Sequence, residues 1–172
     1  SLFLHTLFNV ELPKVHIYKI SKEDSSIKFI LELVVDGSKI ETVLIPEKNR
    51  LTLCVSSQVG CLRGCVFCST GKMGLNRNLL AEEIVAQLLC VKKWLSLNKY
   101  NLKEDLSVYT TNKITNIVFM GMGEPLDNVD NLISAIRILS DPWGASIALK
   151  KITVSTVGQV AGLKKLQESG LR

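Results

Sequence analysis

The chain has 172 residues, 47% of them hydrophobic and 22% charged, with a formal net charge of +5 and a pI near 9.0. These proportions exclude a disordered or low-complexity chain and fit one good core with a small appendage, and no stretch approaches the roughly 20 uncharged apolar residues of a membrane-spanning helix. Five cysteines, three of them within positions 61–68, exclude a secreted disulfide framework and point to a reducing compartment and a metal site.

Residues 1–10 are apolar but short, without a basic flank, a cleavage site or an initial methionine, so they read as the inside of a longer protein. Residues 27–35 alternate, with Ile27, Phe29, Leu31, Leu33 and Val35 on one face. Asp36-Gly37 then supplies a tight turn into a second strand at 39–45, which Pro46 is expected to stop. Residues 1–50 therefore form an accessory segment built around a β-hairpin.

From residue 51 the pattern changes to strand, loop and helix, repeated three times. The strand at 51–56 leads into the cysteine segment and then a helix with Leu80, Ile84, Leu88, Val91 and Leu95 on one face and Asn78 as its expected N-cap. Residues 98–112 are polar and read as a loop. A buried strand at 114–120 runs into Gly121-Met122-Gly123-Glu124-Pro125, followed by a helix carrying Leu132, Ile136 and Leu139. A third strand at 151–155 precedes a helix at 160–169, with Gly170 where helices commonly end.

The fold class expected is α/β: about three βα units over 51–172, with parallel strands and right-handed crossovers. In such a sheet the βα loops gather at the carboxyl ends of the strands, which puts Cys61, Cys65 and Cys68, the Gly-Met-Gly-Glu-Pro loop, and Ser155 to Gly158 on one rim. A further strand is expected beyond Arg172, because three units leave a sheet edge unpaired.

Cys61-Leu-Arg-Gly-Cys65-Val-Phe-Cys68 is a C-x3-C-x2-C run. Three thiolates this close hold three corners of a 4Fe-4S cube, with Gly60 and Gly64 letting the backbone wrap tightly and Phe67 expected to shield it from water. The fourth iron then lacks a protein thiolate and is open to the amino and carboxylate groups of S-adenosylmethionine (SAM). Glu124, beside it, is suited to accept hydrogen bonds from the SAM ammonium. The competing reading is zinc with Cys54 as fourth ligand, a spacing that fits paired zinc knuckles poorly. Cys90, among apolar helix residues, reads as a small buried hydrophobe. Arg63, Lys72 and Arg77, with no acidic residue between Cys61 and Leu80, suit a polyanionic partner, against the plainer reading of a solvated loop.

Longer strings sharpen this. Leu53-Cys54-Val55-Ser56-Ser57-Gln58-Val59-Gly60-Cys61, Phe67-Cys68-Ser69-Thr70-Gly71, Asn76-Arg77-Asn78-Leu79, and Met120 through Pro125 resemble the radical SAM dual-specificity 23S ribosomal RNA and transfer RNA adenine-C2 methyltransferases, over roughly residues 36–158. The resemblance implies a partial (β/α) radical SAM barrel. It implies Cys61, Cys65 and Cys68 as ligands of the 4Fe-4S cluster, and Gly123, Glu124 and Ser155 as SAM contacts. Glu41, which the residues alone make an exposed strand position, matches the base that takes a proton from adenine. Cys54 matches a cysteine that resolves a covalent enzyme–RNA adduct. Also implied are 23S rRNA and tRNA as partners, a flavodoxin-type electron donor, a monomer, no membrane, and the cytoplasm.

The family's methyl-carrying cysteine has no counterpart after Cys90, so the 172 residues alone are expected to bind a cluster without completing methylation. Two other readings stay open on sequence: another radical SAM enzyme, such as an rRNA adenine-C8 methyltransferase, and a non-catalytic, metal-stabilised RNA-binding module with salt-sensitive affinity.

Overall fold

The computed structural model describes residues 11–98 and 113–171. The reading of residues 1–10, and all but the first residue of the expected loop at 98–112, lie outside them. The strands are β1 (Lys14–Ile20), β2 (Ile27–Glu32), β3 (Lys39–Glu47), β4 (Arg50–Cys54), β5 (Gln58–Cys61), β6 (Gly74–Asn78), β7 (Ile114–Phe119) and β8 (Ile152–Val154). The α-helices are α1 (Ala81–Leu97), α2 (Val129–Ser140) and α3 (Val160–Glu168). The result is a mixed α/β fold.

Six strands form one sheet in the order β1-β2-β3-β4-β7-β8. β1 to β4 run antiparallel to one another, while β4, β7 and β8 are parallel, as the repeated strand-loop-helix pattern requires. The hairpin segment is thus hydrogen-bonded directly to the first parallel strand. β5 and β6 pair only with each other, as a separate antiparallel ribbon that encloses the cysteines.

The alternation in β2 works as read. Ile27, Phe29, Leu31 and Leu33 are buried, but Val35 is exposed, because the chain turns early: Gly37 N–H donates to the Leu33 carbonyl (3.0 Å), and Leu33 N–H to that of Ser38 (2.8 Å). Gly37 adopts a left-handed φ of 69° there. Pro46 does not stop β3. It lies beyond the last β2 partner, since Ile27 pairs with Leu44, and faces only Leu51 of β4, so its missing N–H leaves no second neighbour unpaired.

α1 covers the Phe29 face of the sheet. Trp94 meets Phe29 and Tyr18 edge-on, with centroids 5.0 and 4.8 Å apart, and Ile84, Leu88 and Val91 join the same core. Asn78 is not the cap of α1. β6 runs through it, the helix starts at Ala81, and the Glu83 carboxylate accepts from Leu80 N–H (2.9 Å) instead. In α2 the expected Leu132, Ile136 and Leu139 are buried against this core. Gly170 follows α3 with a φ of 75°. No helix among the described residues is long and apolar enough to cross a membrane.

Candidate functional site

Parallel pairing of β4, β7 and β8 brings their following loops to one end of the sheet, and the first two connections there carry buried polar side chains. Ser56, Ser57 and Gln58, between β4 and β5, are inaccessible to solvent, yet each is satisfied. The Ser56 hydroxyl donates to the Glu41 carbonyl (2.6 Å) and accepts from Met122 N–H (2.9 Å). Gln87 of α1 donates to the Ser56 carbonyl and accepts from Ser56 N–H (both 2.9 Å) and from the Thr42 hydroxyl (2.7 Å). Gln58 accepts from Glu124 N–H (2.8 Å) and donates to Asn78 (2.7 Å). Asn128 donates to the carbonyls of Ser57 and Leu79. No buried side-chain polar atom among the described residues lacks a partner.

This web grips the Gly-Met-Gly-Glu-Pro loop. Gly123 has a φ of 100°, and a Cβ there would stand 2.6 Å from Cβ of Gln58, so both conformation and space require glycine. Glu124 is 4% exposed. Its carboxylate accepts from Leu126 N–H (3.0 Å), the Thr156 hydroxyl (2.6 Å) and Val157 N–H (3.0 Å), which binds the second βα loop to the third. A carboxylate offers about four acceptor positions, so three are already taken by the protein. Ser155, beside them, is exposed.

Glu41 and Cys54 share a face of the sheet. Cys54 pairs with Val43, two residues along β3 from Glu41, and opposite partners point the same way. Glu41 is half-buried and forms an ion pair with Lys28 (3.0 Å). Burial pushes the Cys54 thiol above its ordinary pKa; the Met120 backbone N–H opposes that rise and the Glu41 charge adds to it. Cys54 is therefore a protonated thiol at neutral pH.

Cys61 is buried at the end of β5, and Cys65 and Cys68 are half-buried in the loop beyond it, all three without disulfides. Cys68 N–H donates to the Cys65 carbonyl (2.9 Å), Gly60 and Gly64 both have left-handed φ, and a Cβ on Gly60 would collide with the Gly74 carbonyl. Phe67 is 93% exposed and shields none of the thiols in this arrangement. Arg63 and Arg77 are not free for a polyanion: Arg63 pairs with Asp127, and Arg77 bridges Asp36 and Glu83.

A probable dual-specificity RNA methyltransferase RlmN of Dictyoglomus turgidum is 47% identical to this chain over 165 residues, 96% of this chain and 43% of that protein. The dual-specificity RNA methyltransferase RlmN of Buchnera aphidicola subsp. Baizongia pistaciae is 44% identical over 163 residues, 95% of this chain and 41% of its own length. The crystal structure of a radical SAM methyltransferase from Sphaerobacter thermophilus superposes with a TM-score of 0.84 at 36% identity, covering 99% of this chain and 46% of that one. Over nearly its whole length this chain is similar to RlmN proteins and to a radical SAM methyltransferase. It spans less than half the length of the RlmN proteins it matches, and no family model matches it.

The donor set fits an iron–sulfur cluster in chemistry: three thiols free of disulfides at the end of β5 and on the glycine-hinged loop beyond it suit iron and sulfide better than a hard cation. Among the described residues no three Cys, His, Asp or Glu side chains are gathered as the ligands of a single metal ion. Sequence reading missed the scaffold beneath the loop. Gln87, Asn128 and Thr156 belong to no motif, and their partners lie 31–71 residues away; the polar Ser56-Ser57-Gln58 inside an apolar stretch was the available signal.

Proposed function

We propose that this chain supplies the cluster-holding and SAM-binding part of an enzyme that methylates C2 of adenine in 23S ribosomal RNA and transfer RNA. The observation that carries the reading is the three βα loops gathered on one rim, with the cysteine run and Glu124 on neighbouring loops, in a chain 47% identical to an RlmN protein. Cys61, Cys65 and Cys68 would hold a 4Fe-4S cluster, and Gly123, Glu124 and Ser155 would bind SAM. When bound, such a cluster supplies the electron that cleaves SAM, which C2 of adenine requires because it is too electron-poor to attack a sulfonium methyl directly.

The chain's own residues do the rest by placement. Glu124 keeps one acceptor position for an incoming ammonium while its other three fix the loop backbone, so the site exists before the ligand arrives. Glu41 stands on the open face of the sheet as a carboxylate beside Lys28, suited to accept the C2 proton. Cys54, on the same face, is held as a neutral thiol that becomes a nucleophile only on giving up its proton, the behaviour needed of a group that resolves an adduct late. A flavodoxin-type donor and a cytoplasmic location complete the reading.

Anaerobic reconstitution of the chain tests it. About four irons and as many sulfides per chain are expected, with SAM cleaved to 5′-deoxyadenosine; stoichiometric zinc without sulfide would sink the reading. Nucleoside mass spectrometry on rRNA treated with the whole protein separates C2 from C8 methylation, 2-methyladenosine being the expected product.

A further inference from the structure

Arg63 lies between the first two cysteines of the run, at a position that the motif leaves unspecified. Its Nε donates to Asp127 Oδ2 (2.7 Å) and its Nη2 to Asp127 Oδ1, a two-pronged pair with the short helical turn that follows Glu124. With its amide oxygen facing the guanidinium, Gln159 accepts from Nη1 (2.5 Å) and Nη2 (2.8 Å). Gln159 is the N-cap residue of α3 and closes the third βα loop. One side chain of the first loop is thereby bonded to the second and the third. Arg63 is also within electrostatic reach of Glu124 and Cys61.

The geometry points to Arg63 as a positioning residue that clamps the cysteine loop to the other two βα loops and so sets the gap across which a ligand is held. Elsewhere the cysteine loop has few anchors. The ribbon β5–β6 is fixed at its base, where Arg77 bridges Glu83 and Asp36, whereas Leu62, Val66 and Phe67 at its tip are exposed. Without the clamp the tip is free to move relative to Glu124, and a ligand touching both pays the cost of ordering it. A lysine cannot replace the arginine, because a point charge does not grip a carboxylate and an amide at once.

Amide hydrogen exchange on the full chain, with no cofactor present, reads the clamp directly. Arg63→Gln is expected to speed exchange about tenfold at both 62–68 and 156–160, and Asp127→Asn, which leaves the Gln159 contact in place, to speed it less and mainly at 62–68, with the amides of 84–91 unchanged as the check that the chain is folded. The double variant should be no faster than Arg63→Gln alone, because without the guanidinium Asp127 has no clamp left to lose. Arg63→Lys should loosen both loops as well. Loosening confined to 62–68 in Arg63→Gln, additive effects in the double variant, or wild-type behaviour of Arg63→Lys would each overturn the proposal.

A second arm rests on the function proposed above: in reconstituted chain, Arg63→Gln should weaken SAM binding about tenfold with iron and sulfide content unchanged. Unchanged affinity, or lost iron, would overturn the clamp's role toward the ligand. Wild-type chain that takes up no cluster would defeat the radical reading alone, and the exchange measurement would still decide the clamp.

Discussion

The floor of the site and the cysteine loop above it are built on opposite principles. The floor is a closed web in which Thr42, Ser56, Ser57, Gln58, Gln87, Glu124 and Asn128 are buried and every polar atom is spoken for. The loop is open: its apolar side chains Leu62, Val66 and Phe67 face solvent, and Arg63 ties it to Asp127. A buried polar web is costly unless fully satisfied, and once satisfied it admits a single arrangement. On the function proposed above, the half that would discriminate a ligand is therefore preset, and the half that would hold a cluster is the more open one.

The largest effect should come from the seam between the two. Arg77→Met strands the Glu83 carboxylate, only 8% exposed, and is expected to cost about 3–5 kcal/mol in urea unfolding. Arg77 also holds the Asp36 carboxyl well below the usual range, so that stabilisation is present above the unfolded carboxylate pKa and is lost as pH falls. The variant should accordingly lose less stability on acidification than the parent.

Within the floor, Gln87→Leu removes the partner of the Thr42 hydroxyl and of both backbone groups of Ser56. A cost of about 2–3 kcal/mol is expected, smaller than that of a stranded charge. A cost near zero would mean that water replaces the amide and the floor is less closed than it stands here.

Thiol alkylation compares the regions without mutation. Cys65 and Cys68 should label first at neutral pH, while Cys54 and Cys90, buried and with raised pKa, should label last and gain rate only as pH rises past the ordinary thiol range. Early labelling of Cys54 would place it in the open half. The smallest effect belongs to Phe67→Ser, which should shift stability of the ligand-free chain by no more than about 0.5 kcal/mol, because the ring packs on almost nothing.

Much of this was legible in the chain itself. The alternation at Ile27 to Leu33 and the repeated strand, loop and helix determine the sheet and which loops share a rim, because both patterns are local. β1 escaped because its residues are partly or fully exposed throughout, and a register shift between Val15 and Ile17 breaks its period. β5 and β6 escaped because Gln58-Val-Gly-Cys61 and Gly74-Leu-Asn-Arg-Asn78 have little strand propensity and hold their shape through each other. The motif residues announced themselves. The side chains that hold them in place did not, since hydrogen bonds between residues dozens of positions apart leave no period to read.

The antiparallel seam between β3 and β4 has one further consequence. Side chains on a strand alternate between faces, so a slip of one residue in the pairing of Val43 with Cys54 would carry Glu41 into the core and bring Thr42 out. The carboxylate's address is thus digital: Leu44 and Leu53, both fully inaccessible, allow one setting of the ladder and penalise its neighbours. A substitution that never touches Glu41, such as a charge at Leu44, would be felt there as a misplaced carboxylate.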